Sequence, residues 1–501
     1  MSQKKTIKVP LHRVEGDLEV QAEVRDGVVM DAWCSGVMYR GFENILTGRA
    51  ALDSLVIAPR ICGICTTAHL TAAVQALDMI AGVSVPADAG RLRNVALMAE
   101  LVQNDVRHSF LIFAVDLANP FYKASPLFEE AVRRYQPFQG QTVIEVIKET
   151  KKILEIVAII GGQWPHSSYM APGGIVSLPS DSDLLQCQLL GRQFRKWYER
   201  RVLGCTLERW SQVKSAADLE AWLEESPDHR DSDLGFFLRF ARSIGLDKIG
   251  RGPGAFVNFG GLELPLGTRV RGAINQNRLS PAGFVRDGRV GRFDPGRIAE
   301  DVAYSWYDDE DGGLHPAQGR TRPYATGGER GKYSWAKAPR YDGLPAETGP
   351  LAELVIAGHP LITDLLERGG PSVLVRQLAR IIRPVELLPA LEIWIAETSE
   401  SGRFYNKPGE LVEGEGHGLT SAARGAVGHW VRLRNGLIDH YQVITPTAWN
   451  ASPRDAGGAK GPLEEALVGT PVRDLDNPLE LGHVVRSYDL CLVCTVHAAG
   501  R

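Results

Sequence analysis

The sequence predicts a mainly α fold with peripheral β-structure: a helical-bundle core with an N-terminal β-hairpin and Gly/Pro-rich β and loop excursions. Three observations lead there. Apolar residues recur at three- and four-residue spacing over long stretches, as amphipathic helices require. Alternation of apolar and polar residues is confined to short segments, chiefly near the N-terminus. Gly (53) and Pro (29) together make about 16% of the chain against an average near ~12%, so turns and shaped loops are frequent.

Leu18, Val20, Ala22 and Val24 alternate with polar neighbours, Asp26-Gly27 supplies a turn and Val28-Val29 resumes, which predicts a hairpin over 6–34. Val95, Met98, Val102, Val106 and Phe110 predict a long helix over 90–118, with Pro120 after its end. Val143, Ile144, Ile147, Ile153, Ile156, Val157 and Ile160 form a broad apolar face over 141–160, stopped by Gly161-Gly162. A third helix starts at Ser182 and runs through Leu185, Leu189 and Trp197; a fourth lies near 361–383. Residues 250–345 are rich in Gly, Pro and short β-like pieces, with a turn at Asp287-Gly288. The acidic run Asp308 to Asp311 reads as a solvated loop. The 501 residues would allow about three domains by length, yet no repeat or linker divides them. They read as one unit: hairpin 6–34, helical core 90–213, β/loop excursion 250–345, and a helical and metal-binding part 361–501.

The formal net charge is −4, which points to no nucleic-acid or anionic-membrane partner. No apolar run approaches the ~18–20 residues of a transmembrane helix. The N-terminal MSQKKTIKVPLHRVEGD has no apolar h-region. The expected location is cytoplasmic, unless a partner carries the address. Seven cysteines are too few and odd in number for a disulfide framework.

Four of them fall in two C-x-x-C pairs: Arg60-Ile61-Cys62-Gly63-Ile64-Cys65-Thr66-Thr67-Ala68-His69, and Asp489-Leu490-Cys491-Leu492-Val493-Cys494-Thr495-Val496-His497. Each pair has the spacing that lets two thiolates grip one metal, and each is trailed by a histidine. Three readings compete. A structural Cys₄ zinc would tie the chain ends together but leave both histidines unexplained. A thioredoxin-like disulfide needs only one pair. A redox-active or catalytic metal suits soft thiolates; four thiolates carry more negative charge than one divalent ion neutralises, and a second cation sharing two sulfurs would balance it.

These motifs resemble those of the large subunit of nickel–iron hydrogenases, most like the cytoplasmic uptake and hydrogen-sensing class. The resemblance extends in order through Arg13-Val14-Glu15-Gly16, Tyr39-Arg40-Gly41-Phe42-Glu43, Gly162-Gln163-Trp164-Pro165-His166 with Pro172-Gly173-Gly174, Lys337-Ala338-Pro339-Arg340, Ala423-Arg424-Gly425-Ala426-Val427-Gly428-His429-Trp430 and Pro446-Thr447-Ala448-Trp449-Asn450. It implies a buried nickel–iron centre held by all four cysteines, with Cys62 and Cys491 terminal on nickel and Cys65 and Cys494 bridging to an iron that carries CO and two cyanides. It implies Cys491 as the base that takes a proton from H₂, and Glu15 as the next proton carrier. Arg424 would stand over the metals, with Asp105 and Asp489 as candidate partners. Ala423, Pro446 and Thr447 would line the diatomic ligands, Thr447 donating to a cyanide.

Glu43, His497 and a backbone carbonyl, that of Val443, match the family's magnesium or similar site. His69 and His166 are expected to support or pack rather than ligate, and Cys34, Cys187 and Cys205 to be small buried residues. Leu490 replaces the family's usual Pro. Only Ala498 to Arg501 follow His497, where many relatives are made with a tail that a protease removes. The implied function is catalytic cleavage of H₂. With no cysteines left for clusters, electrons would pass to an iron–sulfur small subunit, in a heterodimer or larger assembly built with maturation proteins and associated with membranes only through partners. The competing functions are an H₂ sensor acting through a protein partner and a non-catalytic zinc-stapled scaffold.

Overall fold

The computed structural model describes residues 4–263 and 277–495. The fold mixes α and β. The N-terminal segment forms three antiparallel strands, not a two-stranded hairpin: β1 Lys4–Leu11, β2 Leu18–Arg25 and β3 Val28–Gly36. The turn at Asp26-Gly27 is as expected, with both residues at positive φ (50° and 77°), the geometry that matches strand twist. Along β1, Ile7, Val9 and Leu11 turn inward while Lys8 and Pro10 are exposed; a proline within such a run counts against a strand in sequence.

Helix α1 spans Thr66–Ile80, α2 Ala87–Arg107, α3 Gln141–Gly161 and α4 Asp181–Trp197. The expected 90–118 helix is regular only to Arg107. It then widens into a π-turn over His108–Phe113 and tightens into a 3₁₀ segment over Ala114–Ala118. Such widening re-aims side chains and recurs at functional sites; here it turns His108 toward the C-terminal motif. Ser180 closes a reciprocal capping box with Asp183 at the start of α4.

The fourth expected helix is two. Pro360–Gly369 ends at Gly370, φ 70°, and α5, Val373–Ala396, starts afresh from a Ser372 cap. Pro384 and Pro389 lie inside α5. A proline deprives a helix of one hydrogen bond and normally ends it, which is why 383 read as an end; the almost continuously buried α5 carries on through both. Helices α2, α3, α4 and α5 pack against one another.

Residues 250–345 contribute β4 Phe256–Glu263, β5 Arg278–Arg286 and β6 Arg289–Gly291 in one antiparallel sheet, and a small pair Ile298–Asp301 with Ala338–Tyr341. The main correction concerns 361–501, expected to be helical. It contains the antiparallel sheet β7 Gly414–Ala422, β8 Gly425–Arg434 and β9 Leu437–Ile444. This sheet is buried rather than peripheral, and β7 lies against α1. Its glycines explain both its packing and its illegibility. A Cβ on Gly418 would stand 1.8 Å from the Ala72 carbonyl oxygen, and one on Gly416 2.4 Å from that of Ala76. Strand glycines that admit a neighbouring backbone read as breakers in sequence.

β9 runs into a short helix Pro446–Asn450, and α6, Leu479–Ser487, leads to the second cysteine motif, which ends in the short helix Leu492–Thr495. The C-terminal motif thus arrives beside the N-terminus of α1, where the first motif sits.

Candidate metal centre

Cys65 is the residue before α1, and Cys62 lies in the turn preceding it. The second motif is brought to them by the chain's beginning. Glu15 forms a parallel bridge with Cys491: the Glu15 N–H donates to the Leu490 carbonyl (3.3 Å) and the Leu492 N–H to the Glu15 carbonyl (2.6 Å). Gly16 permits the approach, since a Cβ there would meet the Val493 nitrogen at 3.0 Å. Arg40 ties the two motifs directly, donating to the carbonyls of Ile61 (2.5 Å), Arg60 (3.1 Å) and Val493 (2.9 Å). Arg40 belongs to a recognised sequence block, but nothing in the sequence gave it this task.

The four sulfurs converge. Cys62 and Cys491 Sγ are 3.5 Å apart, Cys65 and Cys494 3.4 Å, Cys491 and Cys494 2.8 Å. All four sulfurs lie within 4.8 Å of one another and are buried, with no disulfide. Hydrogen bonds from Cys491, Cys494 and Cys65 hold the Cys62 thiol well below its ordinary pKa. The Cys65 thiol is raised by its contact with Cys491, and that of Cys494 by burial and the neighbouring sulfurs. Such a set cannot ionise fully without cations among the sulfurs. Four soft donors of this kind fit nickel with iron or zinc, and exclude a hard cation.

Asp489, at φ 54°, organises the electrostatics above the sulfurs. Its Oδ1 accepts from Arg424 Nε (3.0 Å) and lies 2.9 Å from His108 Nδ1. Its Oδ2 accepts from Asn104 Nδ2 (2.8 Å). Burial works against its charge, but Arg424, His108 and Arg380 more than offset this and hold its carboxyl far below the usual range. Burial likewise opposes the charge on Arg424, yet Asp489 and the thiols of Cys491, Cys65 and Cys62 keep the guanidinium firmly protonated. Its Nη1 is buried with no hydrogen-bond partner, a donor left for something held in the site.

Of the two expected partners of Arg424, Asp489 is the one in contact with it. Asp105 is corrected: it takes two bonds, both 2.8 Å, from Arg383. Arg383 also donates to the Ala423 carbonyl (3.0 Å), so Asp105 supports, through Arg383, the turn between β7 and β8 that carries Arg424. Asn104, His108 and Arg383 were missed.

Pro446 and Thr447 open the short helix after β9, and the Cys491 N–H donates to Thr447 Oγ1 (2.8 Å). That leaves the Thr447 proton for another acceptor. Glu15 stands at the mouth of a cavity of about 250 Å³ whose lining includes Ile64, Asn104, His108, Trp164 and Arg424. Glu15 is exposed in the isolated chain; partial desolvation raises its carboxyl, Arg424 opposes, and Cys62 and Asp489 add to the rise.

The Val443 N–H, rather than its carbonyl, contacts Glu43, donating to Oε1 (3.0 Å), and Thr321 Oγ1 bonds the other oxygen. His497 lies outside the described residues. His69 Nδ1 pairs with His429 Nε2 (3.0 Å), and His166 Nδ1 with the Pro59 carbonyl (3.0 Å). Cys34 and Cys187 are buried; Cys205 is half-buried beneath Trp222.

The profile of the nickel-dependent hydrogenase family matches residues 40–127 and 141–497. The large subunit of the periplasmic [NiFeSe] hydrogenase of Desulfomicrobium baculatum is 31% identical, covering 97% of this chain and 94% of that one. The hydrogenase-2 large chain of Escherichia coli K12 is 29% identical over 99% and 97%. The solved Ni–Fe–Se hydrogenase of D. vulgaris Hildenborough in its reduced state superposes with a TM-score of 0.83 at 31% identity, covering 99% of this chain and all of that one.

The chain therefore belongs to the nickel-dependent hydrogenase family. Within it, it is the large, catalytic subunit of a nickel–iron hydrogenase, an oxidoreductase that cleaves H₂. Such large subunits work with a small subunit. Among the described residues no helix is long and apolar enough to cross a membrane.

Proposed function

We propose that Cys62 and Cys491 hold nickel alone, and that Cys65 and Cys494 share it with an iron bearing CO and two cyanides. The observation that carries this is the buried set of four sulfurs within 4.8 Å of one another. When bound, the pair supplies the electron-pair acceptor that heterolytic cleavage of H₂ requires.

The chain's own residues handle the proton. The Cys491 sulfur takes it within the site, and Glu15, whose backbone is paired to Cys491, carries it to the cavity mouth. A carboxyl with a raised pKa exchanges protons near neutrality more readily than an ordinary one. Arg424 presents its unpartnered Nη1 toward the centre while Asp489 fixes its stem. Ala423, Pro446 and Thr447 shape the pocket for the diatomic ligands, Thr447 donating its free hydroxyl proton. Glu43, His497 and the Val443 carbonyl hold a magnesium or similar ion near the chain end.

Electrons leave to a small subunit that carries iron–sulfur clusters, in a heterodimer or larger assembly loaded by maturation proteins. The cytoplasmic location and the uptake or hydrogen-sensing subclass belong to the same reading; they rest on the sequence blocks alone, while similar proteins include periplasmic and quinone-reactive enzymes.

Glu15→Gln tests the proton route. The variant keeps nickel and iron, and its exchange of H₂ with D₂O falls by about 100-fold, within the range for losing a general acid–base group. Exchange at the wild-type rate with metals bound would remove Glu15 from the path.

A further inference from the structure

Glu100, on α2, is a fully buried carboxylate that the reading above leaves unused. Its Oε2 accepts from the Thr67 N–H (2.9 Å) and from Trp164 Nε1 (3.3 Å), and its Oε1 accepts from the Ala68 N–H (3.2 Å). Thr67 and Ala68 are the second and third residues of α1, and the residue before that helix is Cys65. Helix α1 has no side-chain cap of its own at that end; Glu100 supplies one from another helix. All three of these bonds come from N–H donors, which favour the ionised form; burial opposes them and pushes the carboxyl up to about 7, so the group carries its full charge only above neutrality. Among the described residues no lysine, arginine or histidine pairs with it. Its charge is balanced by the helix N-terminus and the indole.

We infer that Glu100 is a positioning residue for the metal centre: its carboxylate locks the first turn of α1, fixes the Cys65 sulfur and supplies a buried negative charge that tunes the metal bound there. A carboxylate drawing on the first N–H groups of a helix competes with the ligand at that helix end for the same positive potential. Charge on Glu100 therefore raises the electron density felt at Cys65. A helix cap without this role would alter stability and leave the metal's electronic properties alone.

The inference rests on nickel being held by Cys65, and the experiment separates the two. Glu100→Gln and Trp164→Phe are made in the complete enzyme with its small subunit. Nickel per protein and the nickel midpoint potential are measured at about pH 9, where the carboxylate is ionised, beside circular dichroism. Glu100→Gln removes the charge and sets an amide donor against N–H donors. It is expected to lower nickel content by about tenfold or more, as loss of outer-shell support to a ligand does, and to raise the midpoint potential of the nickel that remains. Trp164→Phe removes one donor, concentrates charge on the carboxylate and is expected to shift the potential down.

Unchanged nickel content and potential in a folded Glu100→Gln enzyme would overturn the inference. Should that variant not accumulate folded, Trp164→Phe decides alone: a lowered potential supports the role, a wild-type potential overturns it. A wild-type enzyme without nickel would contradict the metal assignment itself, which the variants do not touch.

Discussion

Asp489 is the residue on which the site's electrostatics turn. It draws together Arg424, His108 and Asn104, and it is two residues from Cys491. An arginine held by one carboxylate at Nε keeps its outer nitrogens directed, and the planar fork is what a lysine lacks. Arg424→Lys is therefore expected to leave the fold and the metals in place and to lower H₂ oxidation by about 100-fold, the loss typical of one preorganised donor. A wild-type rate would reduce Arg424 to a structural ion pair.

The four cysteines were legible because covalent spacing alone says that each pair can share a metal. The partners of Arg424 were less so. Asn104 and Asp105 are neighbours on α2, and adjacent residues of a helix point about 100° apart. Asn104 reaches Asp489, whereas Asp105 reaches Arg383. Composition favours the acid; only helix register selects the amide. His108 was hidden for a related reason, since the π-turn that aims it has no sequence signature in the apolar periodicity.

Among the elements, the packing of α1 on β7 determines where the first motif lies. The helix is buried almost all round, and the sheet admits it at glycines. Gly418→Val would force the two apart, because its Cβ would fall well inside contact distance of the Ala72 carbonyl. Overpacking costs about 1–3 kcal/mol, occasionally more, and a shift of α1 also moves Cys65. The variant is expected to unfold at a lower temperature in calorimetry and to purify with less nickel; an unchanged melting point would mean that the contact is not tight. Helices α3 and α4 were readable from apolar spacing and, for α3, the Gly161-Gly162 stop, although Ile144, Ile147, Leu185 and Leu189 of that spacing are exposed. The β7–β9 sheet was not, because its strands satisfy the helix's approach at the expense of their own β pattern. The prolines of α5 misled in the same way: tertiary burial overrides a local breaker.

The molecule as a whole buries several carboxyls whose charge is only weakly offset; Arg454 Nε stands 3.8 Å from Glu464. Glu464, fully buried against the Cys34 N–H and Tyr333, is pushed up to about 7 by burial, the bonds from both and the more distant Arg454 pulling the other way. A carboxyl raised in the folded state costs nothing at pH values below its unfolded pKa of about 4.3. As pH rises the unfolded chain ionises first, so stability falls until the folded group ionises too near 7. The loss is on the order of 3 kcal/mol for such a shift. Glu464→Gln, whose amide oxygen still accepts both bonds, is expected to raise the melting temperature at pH 8 and not at pH 4. An equal change at both would contradict a buried, ionising carboxylate.

Both ends of the chain are drawn to one point, where Glu15 pairs with Cys491 and Arg40 clasps both motifs. Loop closure over so long a chain is costly in entropy, and the metals supply part of the compensation when they bind the folded state. Nickel K-edge X-ray absorption on the purified, loaded enzyme tests this arrangement most directly. Nickel with four sulfur neighbours, lost together with H₂ oxidation in Cys491→Ser, is the predicted result. Nickel surrounded only by nitrogen and oxygen, or zinc occupying the four thiolates in an enzyme that still oxidises H₂, would contradict it.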